Sequence, residues 1–146
     1  MIKKIDHIAI AVRNLENALG TFLNVLGCSR NAVVVEEVPS ENVRVAFIPV
    51  GETKIELLEP LSEEGPIAKF LAKNGEGMHH IALATDSLLR ETERAELHGL
   101  NPLAQPSEGA GGKKIVFLHP RDTNRVLLEF VEPKQHQHHV NPPSIP

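Results

Sequence analysis

The chain has no tryptophan, no tyrosine, five phenylalanines and one cysteine in 146 residues. A lone thiol at Cys28 cannot close an intrachain disulfide, and a reducing compartment is the natural expectation. The core must rest on Leu, Ile, Val and Phe, and a site that needs an aromatic platform has only Phe to use. Basic residues are in the minority: 15 Lys and Arg stand against 19 Asp and Glu, for a net charge of −4. Nucleic acid binding relies on dense cationic side chains that displace counterions from phosphates, so no nucleic acid partner is expected, while a local basic cluster still allows a small anionic ligand. No run approaches the roughly 20 apolar residues of a membrane span. After Lys3-Lys4 the chain enters a strand pattern directly, with no apolar leader and cleavage site, and a cytoplasmic protein is expected.

What the chain does contain is a repeat. Ile5-Asp6-His7-Ile8-Ala9-Ile10-Ala11 returns as Met78-His79-His80-Ile81-Ala82-Leu83-Ala84. Thr53-Lys54-Ile55-Glu56-Leu57-Leu58-Glu59-Pro60 returns as Val126-Leu127-Leu128-Glu129-Phe130-Val131-Glu132-Pro133. Both pairs share one offset of 73 residues. Each copy thus carries a histidine on its opening strand and a glutamate on its closing strand.

Periodicity and turn chemistry predict a β-α-β-β-β order in each copy. Module one has a strand near Ile2 to Val12, then a helix capped by Asn14 and stopped by Gly27. Strands follow near Ser29 to Val38, Asn42 to Val50 and Thr53 to Glu59, the last two joined by a turn at Val50-Gly51-Glu52. Gly65-Pro66 and Asn74-Gly75 bracket a linker helix. Module two has a strand near His79 to Thr85 and a helix from Ser87 to His98. Its last strands are expected around Asn101 to Leu103, Lys113 to Leu118 and Arg125 to Val131. The expected class is α+β: two tandem βαβββ modules forming one curved, partly open mixed sheet around a metal-containing cleft. The expectation is a single domain over 1–133, with module one at about 1–60, the linker at about 61–77 and module two at about 78–133. The His- and Pro-rich tail, 134–146, reads as a solvated, disordered extension.

Side chains on a strand alternate faces, so His7 shares its face with Ala9 and Ala11, and His80 shares its face with Ala82 and Ala84. Small neighbours leave room for a ligand. A single His on an apolar strand is commonly a hydrogen-bonded core residue, and a single Glu commonly faces water. Four such residues at one offset point instead to a shared divalent cation, which offsets the cost of burying two carboxylates. The metal ligands read here are His7, Glu56, His80 and Glu129. Mixed N and O donors suit Co, Mn, Ni or Zn. Gly109-Ala110-Gly111-Gly112-Lys113-Lys114 offers backbone amides and ammonium groups as an anion cradle, with Gly111, Gly112 and Lys113 as substrate contacts. His119 lines the cleft mouth or belongs to a turn with Pro120. Cys28 reads as a small hydrophobe near a helix end, and His79 as a supporting residue on the face opposite His80.

With those residues the chain resembles the vicinal oxygen chelate superfamily over Met1 to about Pro133. Segments Val50 to Pro60, Pro66 to Leu71, Gly75 to Ala82, Gly109 to Lys113 and Phe117-Leu118-His119-Pro120 are similar to the methylmalonyl-CoA epimerases. The four ligands alone are shared with glyoxalase I. The resemblance implies an acyl-CoA thioester substrate and a metal that stabilises an enolate, with Glu129 as ligand and proton shuttle and Glu56 as a second catalytic carboxylate. Inversion at the α-carbon requires a base on each side or one mobile base. Some members of the family carry a carboxylate where this chain has Val43-Arg44-Val45; Glu56 or Glu41 could replace it. A second departure is Arg121-Asp122-Thr123-Asn124-Arg125, where relatives commonly have a Gly next to the strand. A symmetric homodimer is the default assembly. A glutathione hemithioacetal lyase and a metal-free small-molecule binder are the alternatives.

Overall fold

In this computed structural model, residues 1–134 are described, and the predicted tail from residue 135 onward lies outside them. The side chain of Asn14 accepts the Asn17 amide at 3.0 Å and starts α1, Leu15–Leu26, which Gly27 ends at φ 65°. Before it runs β1, Ile2–Ala11; after it come β2, Val34–Val38, β3, Val43–Val50, and β4, Thr53–Pro60. The linker helix α2, Pro66–Asn74, leads into β5, Gly77–Thr85, and α3, Leu88–Leu97, is capped by Ser87. The chain closes with β6, Ser107–Glu108, β7, Lys114–Phe117, and β8, Leu128–Glu132.

The strands join in one curled sheet of order β2-β3-β4-β1-β5-β8-β7-β6. Its centre is the antiparallel pair β1 and β5, in which Ile8 faces Ile81, His7 faces Ala82 and Ala9 faces His80. Ile8 and Ile81 are themselves 73 apart, so the local two-fold runs through that pair. The flanking parallel pairs keep the symmetry: Ala9 lies beside Glu56 on β4, and Ala82 beside Glu129 on β8. Glu59 accepts the Leu15 amide at 2.5 Å, and its counterpart Glu132 accepts the Leu88 amide at 2.9 Å. Each closing strand thereby tethers the first turn of its own module's helix, where a carboxylate also meets the positive end of the helix dipole.

Helices α1 and α3 cover the outer face. Leu15 and Leu19 pack on Ala46, Ile48 and Leu57, while Leu88 and Ala95 pack on Val116, Leu118 and Phe130. On the inner face, Ile67 and Leu71 of α2 pack on Ala9, Ala11, Val43, Val45 and Leu58. This leaves the centre of the inner face, where the histidines and glutamates emerge, without a helix over it.

Three predicted strands differ in extent. Residues 30–32 form a 3-10 turn, so β2 starts only at Val34. Asn101 to Leu103 forms no strand; Pro102, which lacks an N–H, makes only an isolated bridge with Leu118, and the short β6 pairs with β7 instead. β8 starts at Leu128 rather than Arg125, because Asn124 and Arg125 take φ values of 56° and 67° that no strand accommodates.

Candidate active site and metal centre

His7 and His80 lie on adjacent central strands, and their Nε2 atoms approach to 3.0 Å. A Glu129 oxygen lies 3.1 Å from the same His80 nitrogen. Donor atoms of His7, His80 and Glu129 all fall within 4.8 Å of one another, as do those of Asp6, His7 and Glu56. Three of the four predicted ligands therefore converge on one point. Glu56 lines the same cavity but turns its carboxylate to the other nitrogen of His7, Nδ1, at 2.7 Å. All four are buried, within a largely apolar wall of Val45, Phe47, Leu58, Ile115, Phe117 and Val131. The cavity at their centre, about 40 Å³, opens beside a cleft of about 460 Å³ that shares Glu41, Leu58, His80, Ile115 and Phe117 with it.

Two bulges shape this floor. The β1–β5 register slips between Ile5 and His7 and again between Ala9 and Ile10, so Asp6 and His79 are the extra residues. A bulge re-aims a side chain that strict alternation would send to the other face. Asp6 meets His7 Nδ1 at 2.7 Å, and His79 Nδ1 meets His80 Nδ1 at 2.8 Å. Asp6 and His79 occupy equivalent positions in the two copies, yet one brings an anion and the other a neutral ring. Strand alternation alone assigns Asp6 to the outer face, away from the ligands. Its offset of 73 from His79 was the available signal.

The asymmetry separates the two imidazoles electrically. Burial opposes protonation of His7, but hydrogen bonds to Asp6 and Glu56 outweigh it and its pKa rises to about 9. Burial, reinforced by the neighbouring His7 charge, pushes His80 down to about 3. Burial also lowers His79 to about 4. Burial lifts Glu129 to about 8, with Glu56 and Asp6 adding and His7 opposing. Asp6 stays ionised well below the usual carboxylate range: burial works against this, and the His7 hydrogen bond with Lys113 and Lys54 overcomes it.

Lys113, from the glycine-rich loop, reaches Asp6 Oδ1 at 3.3 Å and joins Gly109 and Ala110 in the cavity wall. Gly111 and Gly112, at φ 71° and 68°, shape that loop without lining either cavity. His119 accepts the Arg121 amide at 3.2 Å and caps a 3-10 turn, also away from both. Cys28 is partly buried in the apolar cluster under α1.

This donor set fits a divalent cation. Two imidazole nitrogens and a carboxylate converge, a second carboxylate lies against His7, and Asp6 holds the outer nitrogen of His7, as outer partners of metal-binding histidines do. Every buried side-chain polar atom among the described residues has a hydrogen-bond partner, so the ring orientations are determined by contacts.

Residues 6–117 match the glyoxalase/bleomycin resistance protein/dioxygenase superfamily. The ethylmalonyl-CoA/methylmalonyl-CoA epimerase of Cereibacter sphaeroides is 42% identical over 89% of this chain and 98% of its own length. The mitochondrial methylmalonyl-CoA epimerase of Homo sapiens is 39% identical over 87% of this chain and 72% of its own. A solved methylmalonyl-CoA epimerase in complex with methylmalonyl-CoA and NH4+ superimposes with a TM-score of 0.84 at 33% identity, covering 90% of this chain and 95% of that one. A shared sheet and matches of this length and identity lead to one assignment: the chain belongs to the glyoxalase/bleomycin resistance protein/dioxygenase superfamily and, within it, to the methylmalonyl-CoA epimerase family.

Proposed function

We propose that the protein interconverts (2R)- and (2S)-methylmalonyl-CoA by moving the proton on the α-carbon. The observation that carries this reading is the convergence of His7, His80 and Glu129 on the floor of a cavity that opens into a cleft of about 460 Å³. His7, Glu56, His80 and Glu129 would hold one divalent cation, Co, Mn, Ni or Zn, with cobalt the first to test; Glu56 reaches it by turning from His7 Nδ1. A cation held there would supply Lewis acidity for the negative charge that develops as the α-proton is removed.

The chain's own residues do the rest. Burial raises the proton affinity of Glu129 in the metal-free chain and a bound cation would oppose that rise, leaving a carboxylate that can take and return a proton. Asp6 orients His7, and Lys113 keeps Asp6 anionic. Phe117, Val45 and Leu58 exclude water from the reacting carbon, so the proton is not lost to bulk solvent at each turnover. Gly111, Gly112 and His119, remote from the cavity wall, are left to the outer part of a long thioester substrate. We read residues 1–133 as one domain, since both modules contribute to the site. Edge strand β2, with Val34 exposed, offers an open edge to a second copy in a homodimer. No helix among the described residues is long and apolar enough to cross a membrane, and the cytoplasm is the proposed location.

The test is to incubate the metal-loaded protein with one epimer in deuterium oxide. Deuterium at C2 together with the opposite epimer is expected, and the appearance of neither overturns the reading. Consumption of a glutathione hemithioacetal would assign the site to the lyase instead.

A further inference from the structure

Glu41 is a carboxylate that the site described above does not use. It ends a 3-10 turn, Pro39–Glu41, between β2 and β3, on module one and away from the closing strands that carry Glu56 and Glu129. The turn is firmly anchored: the Asn42 amide donates to the Pro39 carbonyl at 3.1 Å, and the Asn42 side chain donates to Ser62 Oγ at 2.7 Å. Its carboxylate points toward the glycine-rich loop, where a side chain on Gly109 would come within 3.4 Å of Glu41 Oε1. Glu41 lines both the metal cavity and the adjoining cleft, so it stands at their junction.

Other site carboxylates are engaged. Asp6 and Glu56 hold His7, and Glu129 meets His80. Glu41, half-buried, makes no hydrogen bond or ion pair among the described residues. No Glu41 oxygen is both fully buried and unpaired, so the carboxylate opens to the cleft and is available to a bound ligand, a position that packing does not require. Val45, which lines the same cavity, supplies no proton-transferring group from β3.

Resting on the epimerase reading, we infer that Glu41 is the second proton-transfer residue, working from the turn side of the cavity while Glu129 works from the sheet. In one direction the Glu129 carboxylate takes the α-proton: the C–H bond breaks, an O–H bond forms, and the electron pair passes into the thioester. The Glu41 carboxyl then delivers its own proton to the same carbon on the other face. The reverse direction exchanges the two roles, and solvent resets both carboxyls. Burial raises the Glu41 pKa to about 7, with Glu129 and Glu56 adding, which suits a group that must both accept and donate near neutrality.

The experiment uses the metal-loaded full chain, each epimer separately, and deuterium oxide, comparing the protein with its Glu41→Gln variant. In the unsubstituted protein both epimers exchange and invert; absence of both overturns the epimerase reading itself. In Glu41→Gln, inversion is expected to fall about 100-fold or more, while one epimer, the one whose proton faces Glu129, continues to take up deuterium within about threefold of the original rate. Metal content by elemental analysis stays unchanged, and Glu41→Asp recovers part of the inversion. Inversion retained within about threefold overturns the proposal. So does an equal fall of exchange in both epimers, or loss of the metal.

Discussion

His7 and His80, 73 residues apart in sequence, bring their Nε2 atoms to 3.0 Å while differing in what holds the opposite nitrogen: Asp6 in one copy, His79 in the other. A duplicated scaffold has thus become an electrically unequal pair. Asp6 raises the basicity of His7, whereas His80, backed by a neutral ring, is kept unprotonated. The inequality follows from one substituted position per copy and from the bulges that turn both residues inward.

Asp6→Asn removes the anion behind His7 and leaves Lys113 without its partner. Metal affinity is expected to fall about 10- to 100-fold, the usual consequence of losing such an outer contact. Competition with a chelator of known affinity measures it, and a change under twofold would assign Asp6 a purely structural role.

Glu129→Gln keeps the shape and an acceptor oxygen but cannot carry a proton. Inversion, and exchange of the C2 proton in the epimer whose proton faces Glu129, are expected to drop about 100-fold or more at saturating metal, while the other epimer still exchanges and close to one cation stays bound per chain. Glu56→Gln, by contrast, is expected to weaken metal binding about tenfold more than it slows exchange in the loaded protein. Elemental analysis run beside the exchange assay separates base loss from ligand loss.

A pH dependence follows from Glu41, whose carboxyl is raised from 4.5 to about 7 by burial and by the nearby Glu129 and Glu56, with His7 opposing. A carboxyl with a folded pKa above its unfolded value leaves stability intact below pH 4.5 and costs it progressively as pH rises to 7. Glu41→Gln removes that cost. For a fully sealed group the rise from 4.5 to about 7 converts to roughly 3.4 kcal/mol; with solvent still reaching Glu41, the variant should gain about 2 kcal/mol over the original protein between pH 4.5 and 7, and no more above. Urea unfolding at pH 4.5, 7 and 8, with metal matched, measures the difference; a gain independent of pH contradicts it.

Arg125 sits at φ 67°, next to Asn124 at 56°, in the turn before β8. An ordinary side chain in that region is strained by about 1–2 kcal/mol, partly offset by the extra chain entropy of glycine. Arg125→Gly is expected to stabilise the protein by about 0.5–1 kcal/mol in denaturant melts without changing metal affinity.

Leu57 is fully buried beneath α1, on the sheet face opposite Glu56. Leu57→Ala should cost about 2–5 kcal/mol of unfolding free energy through a cavity that neighbouring side chains only partly fill. Metal bound per folded chain should stay constant, since the loss lies on the outer face.

Much of the fold was legible because caps and turns act locally. Asn14, Gly27, Gly51, Gly65-Pro66 and Ser87 mark element ends by their own hydrogen bonds or backbone angles, and the structure places them there. The errors arose where local pattern competes with geometry imposed from outside. Asn101 to Leu103 stands where the repeat predicts a strand, yet Pro102 makes only an isolated bridge with Leu118 and a single Leu103 amide reaches the end of β7, at the Phe117 carbonyl. Arg125 to Leu127 continues the hydrophobic pattern of β8, but the left-handed turn before it delays pairing. The period of two places His79 on the far face, whereas a bulge brings it to His80.

The sequence by itself determined the duplication, the α+β order and the residue types at the site, because a 73-residue offset, side-chain alternation and helix caps are all properties of short segments. Only the tertiary structure decided which carboxylate meets which nitrogen, that Asp6 stands behind His7, and that Glu41 reaches the same cavity as Glu129. Those contacts join strands and turns far apart in the chain, through a register slip and a curled sheet whose geometry is set by every strand pairing at once.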